Sequence, residues 1–563
     1  MPVDYYVQCY EDVRYIGAYK GECVMRIDPV QFGETNTLMK DYRYNFEKLA
    51  NKFDYSPFVE RAWEERLHEL QNREFKREET VEILKKMNEY YGAGAETLAH
   101  IERLYEKDST VMIAGQQAGL LMGPMYTVNK AISVIEAAKQ KEKMLGKPVL
   151  PVFWMAGEDH DFEEINHVYL EQDGLKKQKI SQATDGKTSV SDVDLDSEAA
   201  NEFVKACFRH LPESMHTKDV YRHVHHALEG ARTYSDFFAR LLTSLFKHQG
   251  LIVLDAHAPS IRKLESDYFI QMIEHNEAIA SGVYAKEQEN KRQGYPVTID
   301  AEVSDAHLFY HDGKQRVLLM REGSRFVGKQ GEVEFSEDEL LMIAEETPER
   351  LSNNVVTRPL MQDLLLPCLG FIGGPGEISY WSVLKPAFSE LSIKMPPTLP
   401  RLSFTFISNS IKNRARTEGI DLYEVLRNGL SEEKMNFLSS HSEVPLEEMK
   451  REMKEQISRL HAPFRREAER TGPDVLGYAE KNLEYMESLI DDMGDRISKE
   501  HLKKYENTLA FYSRLEDVIR PKGGLQERIW NPLPFLNEFG WDFFSKIPEY
   551  EWDFRQQHYL IYS

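Results

Sequence analysis

Thr110-Val111-Met112-Ile113-Ala114-Gly115-Gln116-Gln117-Ala118-Gly119 is the stretch that decides the fold class. A short β-branched and apolar run that ends in glycine and amide residues reads as a buried strand entering a tight loop. Gly123-Pro124 follows, with proline where a first helical turn tolerates it, and then an amphipathic stretch from Tyr126 to Leu145 closed by Gly146. A second buried run, Val149-Leu150-Pro151-Val152-Phe153-Trp154-Met155-Ala156, stops at Gly157-Glu158-Asp159-His160-Asp161. Strand, helix and strand within about fifty residues make a βαβ unit, and such a crossover predicts a parallel sheet.

Working outward, Gly250-Leu251-Ile252-Val253-Leu254-Asp255 and Leu364-Leu365-Leu366-Pro367-Cys368-Leu369-Gly370-Phe371-Ile372 have the same character. The fold class expected is therefore α/β, a doubly wound parallel-sheet core interrupted by insertions at about 175–245 and 300–345. Within the second insertion, Ala306–Tyr310 and Arg316–Met320 flank a His311-Asp312-Gly313-Lys314 turn, a hairpin signal for an antiparallel excursion off the main sheet. The first hundred residues read as helices between polar turns. From about residue 420 the pattern becomes helical and charged. Leu476, Ala479, Leu483, Met486, Ile490, Met493 and Ile497 form a heptad seam. Leu446, Met449, Met453, Ile457, Leu460, Phe464 and Ala468 form a partner stripe, with Thr471-Gly472-Pro473-Asp474 as a stop and restart between them. The expected organisation is a core with its N-terminal helical region over 1–419, a helical coiled-coil hairpin over 420–525, and a C-terminal segment over 526–563 that packs back on the core.

Composition sets outer limits. The chain has 563 residues, with 70 Lys and Arg against 93 Asp and Glu, a net charge of −23 that argues against a surface built to coat nucleic acid or an anionic membrane. Its 41% hydrophobic and 29% charged fractions are those of a globular protein. Cys9, Cys23, Cys207 and Cys368 lie far apart without a C-x-x-C pair, which fits a reducing compartment. The start of the sequence has neither a basic region nor an apolar segment of a secretory signal, so a cytoplasmic location is expected.

The chemistry-bearing residues cluster at expected strand ends. Gln116 and Gln117 sit at the carboxyl end of the first strand, where open α/β sheets bind ligands, and paired amides there orient hydroxyls or a carboxylate. The second strand delivers Asp159, His160 and Asp161 to the same edge, an imidazole and carboxylates suited to acid/base work. Asn129, on the intervening helix, and Arg358, just before the Pro367 strand, are the substrate-binding candidates with Gln116; a guanidinium holds a carboxylate bidentately. Gly373-Gly374-Pro375-Gly376-Glu377 follows a buried strand and precedes a helix. Its N–H groups favour an anion, with Tyr380, Trp381 and Lys385 on the next turns; it reads equally as a tight connection. It is not a dinucleotide fingerprint, and Gly186-Lys187-Thr188, with Ser181 where glycine is needed, is not a P-loop. A metal set of His160 and His167 with Asp159 or Asp161 has a spacing that fits neither a helical pair nor a zinc finger, so no metal ligand is assigned.

The strings Ala114-Gly115-Gln116-Gln117-Ala118-Gly119, Gly123-Pro124-Met125-Tyr126-Thr127, Trp154–Phe162, Arg358-Pro359-Leu360-Met361-Gln362-Asp363, Gly374-Pro375-Gly376-Glu377 and Gly523–Arg528 with Asn531-Pro532-Leu533 together resemble one family. It is the cysteine-adding enzymes of bacillithiol biosynthesis, the bacillithiol synthases or cysteine ligases, and the resemblance runs over nearly the whole chain. It implies a Rossmann-like core with connecting-peptide-type insertions and a C-terminal coiled coil that forms a homodimer. It also implies a ligase that joins the cysteine carboxyl to the amine of glucosaminyl-malate. Activation of that carboxyl calls for ATP or another nucleotide; the partners expected are these small molecules, with no nucleic acid and no membrane. The kinship to class I aminoacyl-tRNA synthetases that the resemblance also implies is not visible in motifs: H-x-G-H is absent, and Lys394-Met395-Pro396-Pro397-Thr398 is a poor echo of K-M-S-K-S. Two rival readings stand beside it: a metal-dependent hydrolase using Asp159-His160-Asp161, and a non-catalytic coiled-coil scaffold.

Overall fold

The computed structural model describes residues 14–15, 25–172, 174–182, 188–296, 298–313, 315–440 and 446–563, which leaves Cys9, Cys23 and most of the Gly186-Lys187-Thr188 stretch outside the described residues. The chain divides into two compact units, one running through Lys412 and taking in Gly524–Ser563, the other Asn413–Gly523.

The first unit is built on five parallel strands: β1 (Thr110–Gln116), β2 (Val149–Met155), β3 (Ile252–Asp255), β4 (Cys368–Gly373) and β5 (Thr398–Pro400), in the order β5-β4-β1-β2-β3. Every neighbouring pair is parallel, as the βαβ reading requires. The strands are apolar without alternation because both faces of the sheet are covered. Met112, Ala114, Phe153, Met155 and Val253 face one layer with Val128, Ile132 and Ile135 of helix α1 (Tyr126–Leu145). Val111, Ile113, Val152, Trp154, Ile252 and Leu254 face the other, with Leu84, Ile101 and Met361. Successive strands run one way from β1 through β2 to β3, and the other way from β4 to β5. The reversal between β1 and β4 is the topological switch point at which such sheets bind ligands outside the strands' carboxyl ends.

Two excursions flank this sheet. His167–Glu171 and Leu175–Lys179 pair as a hairpin ahead of helices at Ser197–Arg209, Thr217–Glu229 and Tyr234–Leu245. The hairpin expected at 306–320 is present as Asp305–Asp312 with Gln315–Glu322, and it belongs to a larger five-stranded antiparallel sheet that ends at Leu351–Asn353. A third sheet closes the chain on itself: His558–Tyr562 pairs parallel with Phe404–Ile407 and antiparallel with Arg26–Val30. Two further helices carry site residues, α2 (Thr357–Leu365) and α3 (Pro375–Trp381).

The second unit contains a long helical hairpin, α4 (Leu446–Thr471) and α5 (Pro473–Leu502), broken at Gly472, whose φ of +147° suits glycine. Ala468, Ala479, Leu483 and Ile490 are buried, and Lys450–Asp495 (2.6 Å) and Lys454–Asp491 (2.5 Å) clamp the two helices. Only part of the expected seam is used. Leu460, Phe464 and Met493 stand 76%, 73% and 61% exposed, so further apolar side chains on this hairpin are left uncovered among the described residues. No helix among the described residues is long and apolar enough to cross a membrane.

Candidate active site

Because the strands are parallel, their carboxyl ends deliver five segments to one edge: 116–119, 156–161, 255–257, 373–377 and Arg401. Backbone bonds lock these segments together. Ala156 N–H donates to Gln116 O (3.0 Å), Ala256 N–H to Met155 O (3.0 Å) and Arg401 N–H to Gly373 O (2.8 Å). The loop after β1 is strained: Leu121 and Met122 both have positive φ, and Asn531 Nδ2 holds Leu121 O at 2.7 Å.

At the switch point the crevice holds a buried polar network. Lys130 Nζ donates to Gly115 O (2.5 Å) and Gln116 Oε1 (2.9 Å) and pairs with Glu377 (2.6 Å). Arg358, on α2, donates to the Tyr380 hydroxyl and lies 3.9 Å from Glu377. Burial pushes Lys130 down to about 8, a fall that Glu377 restrains. Burial pulls Glu377 upward, but Lys130 and Arg358 outweigh it and leave the carboxyl below its usual range. Two cations thus face one carboxylate in a water-poor setting, an excess of positive charge suited to an anion.

On the β2 side, Asp159 is a hub. Its Oδ2 accepts from Gln117 Nε2 (2.5 Å), its Oδ1 from the His160 N–H (2.7 Å), and Arg316 Nη1 lies 3.8 Å away. Arg316 comes from the antiparallel hairpin, stacked 3.7 Å over Phe309, and its Nη1 donates to His160 Nδ1 (3.4 Å). That contact fixes the neutral ring as the Nε2–H tautomer, a donor rather than a base. Asp161 is exposed beside it. Behind the loop, Glu158 approaches Arg262 (3.9 Å), which is bound to Glu265 (2.8 Å); burial pushes Glu265 up to about 7. At the end of β3, Asp255 binds Ser191 Oγ (2.8 Å) and His257 N–H (2.9 Å), and burial raises its carboxyl despite His257. His311, from the same hairpin as Arg316, is pushed down to about 2 by burial, with His257, Arg262, Arg316 and His160 adding to the fall.

The structure thus brings together Gln116, Gln117, Asp159, His160, Arg358, Glu377 and Tyr380. Several other candidates are corrected. Trp381 is core, stacked on Phe371 with centroids 4.6 Å apart. Lys385 is turned to Ala50 O (3.0 Å) and Asp54 (3.0 Å), away from the glycine loop. Gly373 lies inside β4, where a Cβ would press on Ile378 and Thr398 at 3.1 Å, so it serves packing. The Gly374 N–H is already taken by Glu377 Oε2 (2.9 Å), so the loop's first donor faces its own helix's carboxylate; the side of Gly376 is open. Asn129 binds Glu527 (2.6 Å), which is paired bidentately with Arg401 (2.6 and 2.7 Å). His167 is held by Glu163 O (3.1 Å), and among the described residues it shares no ligand set with His160. Lys130, Asp255, His257, His311 and Arg316 are candidate site residues that sequence reasoning missed. The signal for Lys130 is a lone cation in the buried run Thr127–Ala138; that for Arg316 is a cation at an inward strand position.

A doubly wound sheet with an acid/base cluster and a cationic crevice at its switch point defines an α/β enzyme of the Rossmann-like class. The description "Bacillithiol biosynthesis BshC, N-terminal Rossmann-like domain" matches residues 25–402, and "Bacillithiol biosynthesis BshC, C-terminal coiled-coil domain" matches residues 404–563. Proteins named "Putative cysteine ligase BshC" are similar over nearly their whole length. That of Oceanobacillus iheyensis is 38% identical over 544 residues, 96% of this chain and 100% of the relative. That of a Geobacillus species is 38% identical over 541 residues, with the same coverage, and that of Bacillus cereus 36% over 525 residues, 93% and 97%. The chain belongs to the BshC family of bacillithiol biosynthesis.

Proposed function

We propose that the protein is the ligase that joins the carboxyl of L-cysteine to the amine of glucosaminyl-malate, the last step of bacillithiol biosynthesis. The observation that carries this reading is the pairing, along one sheet edge, of the Lys130–Arg358 crevice with the Asp159–His160–Asp161 loop. The first suits a carboxylate or phosphoryl group and the second an acyl transfer. The names of the relatives support the ligase class.

A carboxylate does not acylate an amine unaided in water, so the cysteinyl carboxyl is first activated, with ATP as the co-substrate. Either the carboxylate attacks the α-phosphorus and releases pyrophosphate, giving an adenylate, or it attacks the γ-phosphorus and releases ADP, giving an acyl phosphate. The sugar amine then adds to the activated carbonyl, the C–N bond forms, and AMP or phosphate leaves with the bonding electron pair. His160, donating from Nε2–H, stabilises the oxygen of the tetrahedral adduct, and Asp161 takes the ammonium proton. Gln117 and Arg316 hold Asp159 and His160 in place.

The coiled-coil hairpin carries a homodimer contact in this reading, since Leu460, Phe464, Tyr478 and Tyr485 form an exposed apolar surface.

The test is amide formation from cysteine, glucosaminyl-malate and ATP by the parent, His160→Ala and Asp161→Asn chains. Turnover is expected to fall at least a hundredfold and about tenfold, respectively. Undiminished turnover in a folded His160→Ala chain removes His160 from the mechanism. AMP with pyrophosphate, or ADP with phosphate, as products separates the two activation routes.

A further inference from the structure

We propose that Asp192, His257 and His311 form a site for a zinc-type divalent ion whose open coordination position takes the thiol of the amino-acid substrate. The proposal rests on the reading of the protein as a cysteine ligase.

The three side chains each offer a ligand atom, and these atoms lie within 4.8 Å of one another; among the described residues no other group of histidine, cysteine and carboxylate side chains does so. His257 Nε2 and Asp192 Oδ2 are 2.8 Å apart. Two ligands on a tetrahedral zinc are separated by about 3.3 Å, so this pair already has close to the required spacing, and the remaining approach falls to His311. Two imidazoles and one carboxylate leave a fourth position for substrate, the pattern of reactive rather than structural zinc sites.

His311 is anchored through its second ring nitrogen, as metal ligands require, and the backbone that carries Asp192 and His257 is tied to the active-site loop and to Asp255. Asp192 ends a short turn hung on the active-site loop: Val190 N–H donates to Asp159 O (2.8 Å), Ser191 N–H to Gly157 O (3.0 Å), and Ser191 Oγ binds Asp255 (2.8 Å). His257 follows β3 with its N–H on Asp255 Oδ1 (2.9 Å). His311 Nε2 is on Ser352 Oγ (2.9 Å), which leaves Nδ1 as the nitrogen for the ion and Ser352 as the acceptor of the Nε2–H. Among the described residues the buried His257 Nδ1 makes no hydrogen bond, and the ring is held by its Asp192 contact. The half-exposed Asp192 marks the mouth.

The surrounding charges tolerate a dication. Arg262 is matched by Glu265 and approached by Glu158, and Arg316 is approached by Asp159; Asp255 adds a further carboxylate. The trio sits on the β3 side of the His160 loop, opposite the Lys130–Arg358 crevice on the β4 side. Cysteine bound through its sulfur would lie along the sheet edge beside the His160 loop. Coordination displaces a bound water and releases the thiol proton to solvent, with no change of oxidation state. It also separates cysteine from serine, because a soft thiolate binds zinc where a hydroxyl does not, and it keeps the most nucleophilic group of the substrate away from the activated carboxyl.

The test uses the full chain. Reconstituted with zinc and dialysed, it should hold about one ion per chain by elemental analysis. Asp192→Asn and His257→Gln should each weaken zinc binding at least tenfold while the far-ultraviolet spectrum is unchanged. Asp192 is exposed enough that its variant folds whatever becomes of the other. In the cobalt-substituted chain, L-cysteine but not L-serine should produce a thiolate-to-cobalt charge-transfer band. A chain that binds no zinc, full retention of zinc by the double variant, or a cobalt spectrum indifferent to cysteine overturns the proposal. Amide formation by the zinc-free chain overturns it too and leaves the ligase reading intact; zinc and cysteine binding without amide formation defeats the ligase reading instead.

Discussion

Gly157→Ala is the substitution that probes the active-site loop most directly. A Cβ at this position would fall on Ser191 Oγ and Asp255 Oδ1, with Asp255 Cγ at 3.1 Å. Neither neighbour can step aside freely. Ser191 Oγ is bound to Ser235 Oγ (2.7 Å) and Asp255 Oδ2 (2.8 Å), and Asp255 closes β3 while holding the His257 N–H. Forcing a methyl into a packed site costs about 1–3 kcal/mol. Breaking the Ser191 bond to a buried carboxylate adds about 1–3 kcal/mol. A loss of roughly 2–6 kcal/mol is therefore expected in urea unfolding followed by tryptophan fluorescence. Because the same contacts set Asp192, His257 and the 157–161 loop, ligation should fall at least tenfold in the variant that still folds. Gly33→Ala is the control, with nothing within 4 Å of its Cβ and an ordinary backbone, and it should change stability by under about 0.5 kcal/mol. Parent-like stability and turnover in Gly157→Ala would refute the claim that the Ser191–Asp255–His257 bracket is rigid and positions the site.

Arg358→Lys should raise KM for the carboxylate substrate about tenfold and change kcat much less, because the bidentate fork is lost while the charge is kept; an unchanged KM in steady-state kinetics removes Arg358 from substrate binding. Glu136, on α1, is buried and its carboxyl is pushed up to about 7. The folded chain then binds more protons than the unfolded one between 4.5 and about 7, so this group's contribution falls as pH rises through that window. Glu136→Gln should thus be more stable than the parent at pH 8, by up to about 3 kcal/mol, with the gain shrinking at pH 6 and gone below pH 4.5; a pH-independent difference in urea midpoints contradicts this. Leu460→Asp with Phe464→Asp should halve the sedimentation mass without loss of helical signal, since both side chains are exposed in the folded chain. A parent that already sediments as a monomer ends the dimer reading.

The strands of the main sheet were legible because a doubly covered parallel strand must be apolar throughout and the loop after it must be polar; Val149–Met155 and Gly157–Asp161 obey both demands. The switch point followed from no local signal, since strand order depends on which crossovers go left and right of β1. The candidate residues Gln117, Asp159 and His160 could be read because they are polar groups at a strand's carboxyl end, where the structure places them. His311 and Arg316 could not: a hairpin's alternation says which residues face inward but not what they face, and here the inward face meets the sheet edge. Trp381 shows the converse error. Aromatic spacing on a helix is the same whether the ring meets a ligand or Phe371. In the coiled coil, a heptad pattern marks a seam without saying whether the partner helix is in the same chain. Ala479, Leu483 and Ile490 answer to α4, while Leu460 and Phe464 stand exposed among the described residues.

The net charge of −23 and the anionic substrate proposed above are reconciled by how the site's cations are matched. Arg401 is paired bidentately with Glu527, Arg262 is bound to Glu265, Arg316 is approached by Asp159, and Lys130 is held at 2.6 Å by Glu377. Each of these is a buried cation committed to a carboxylate of the protein, so each holds the site together more than it attracts anything. Arg358 differs. Its hydrogen-bond partner is the neutral Tyr380 hydroxyl, whose proton burial holds up to about 12, and its nearest carboxylate is the already committed Glu377 at 3.9 Å. One guanidinium without its own counter-charge, in a crevice too dry for solvent to screen it, is enough to draw a carboxylate into an otherwise acidic protein. Surface acidity, by contrast, is spread over solvated helices such as Pro473–Leu502, where screening confines each charge to its own surroundings.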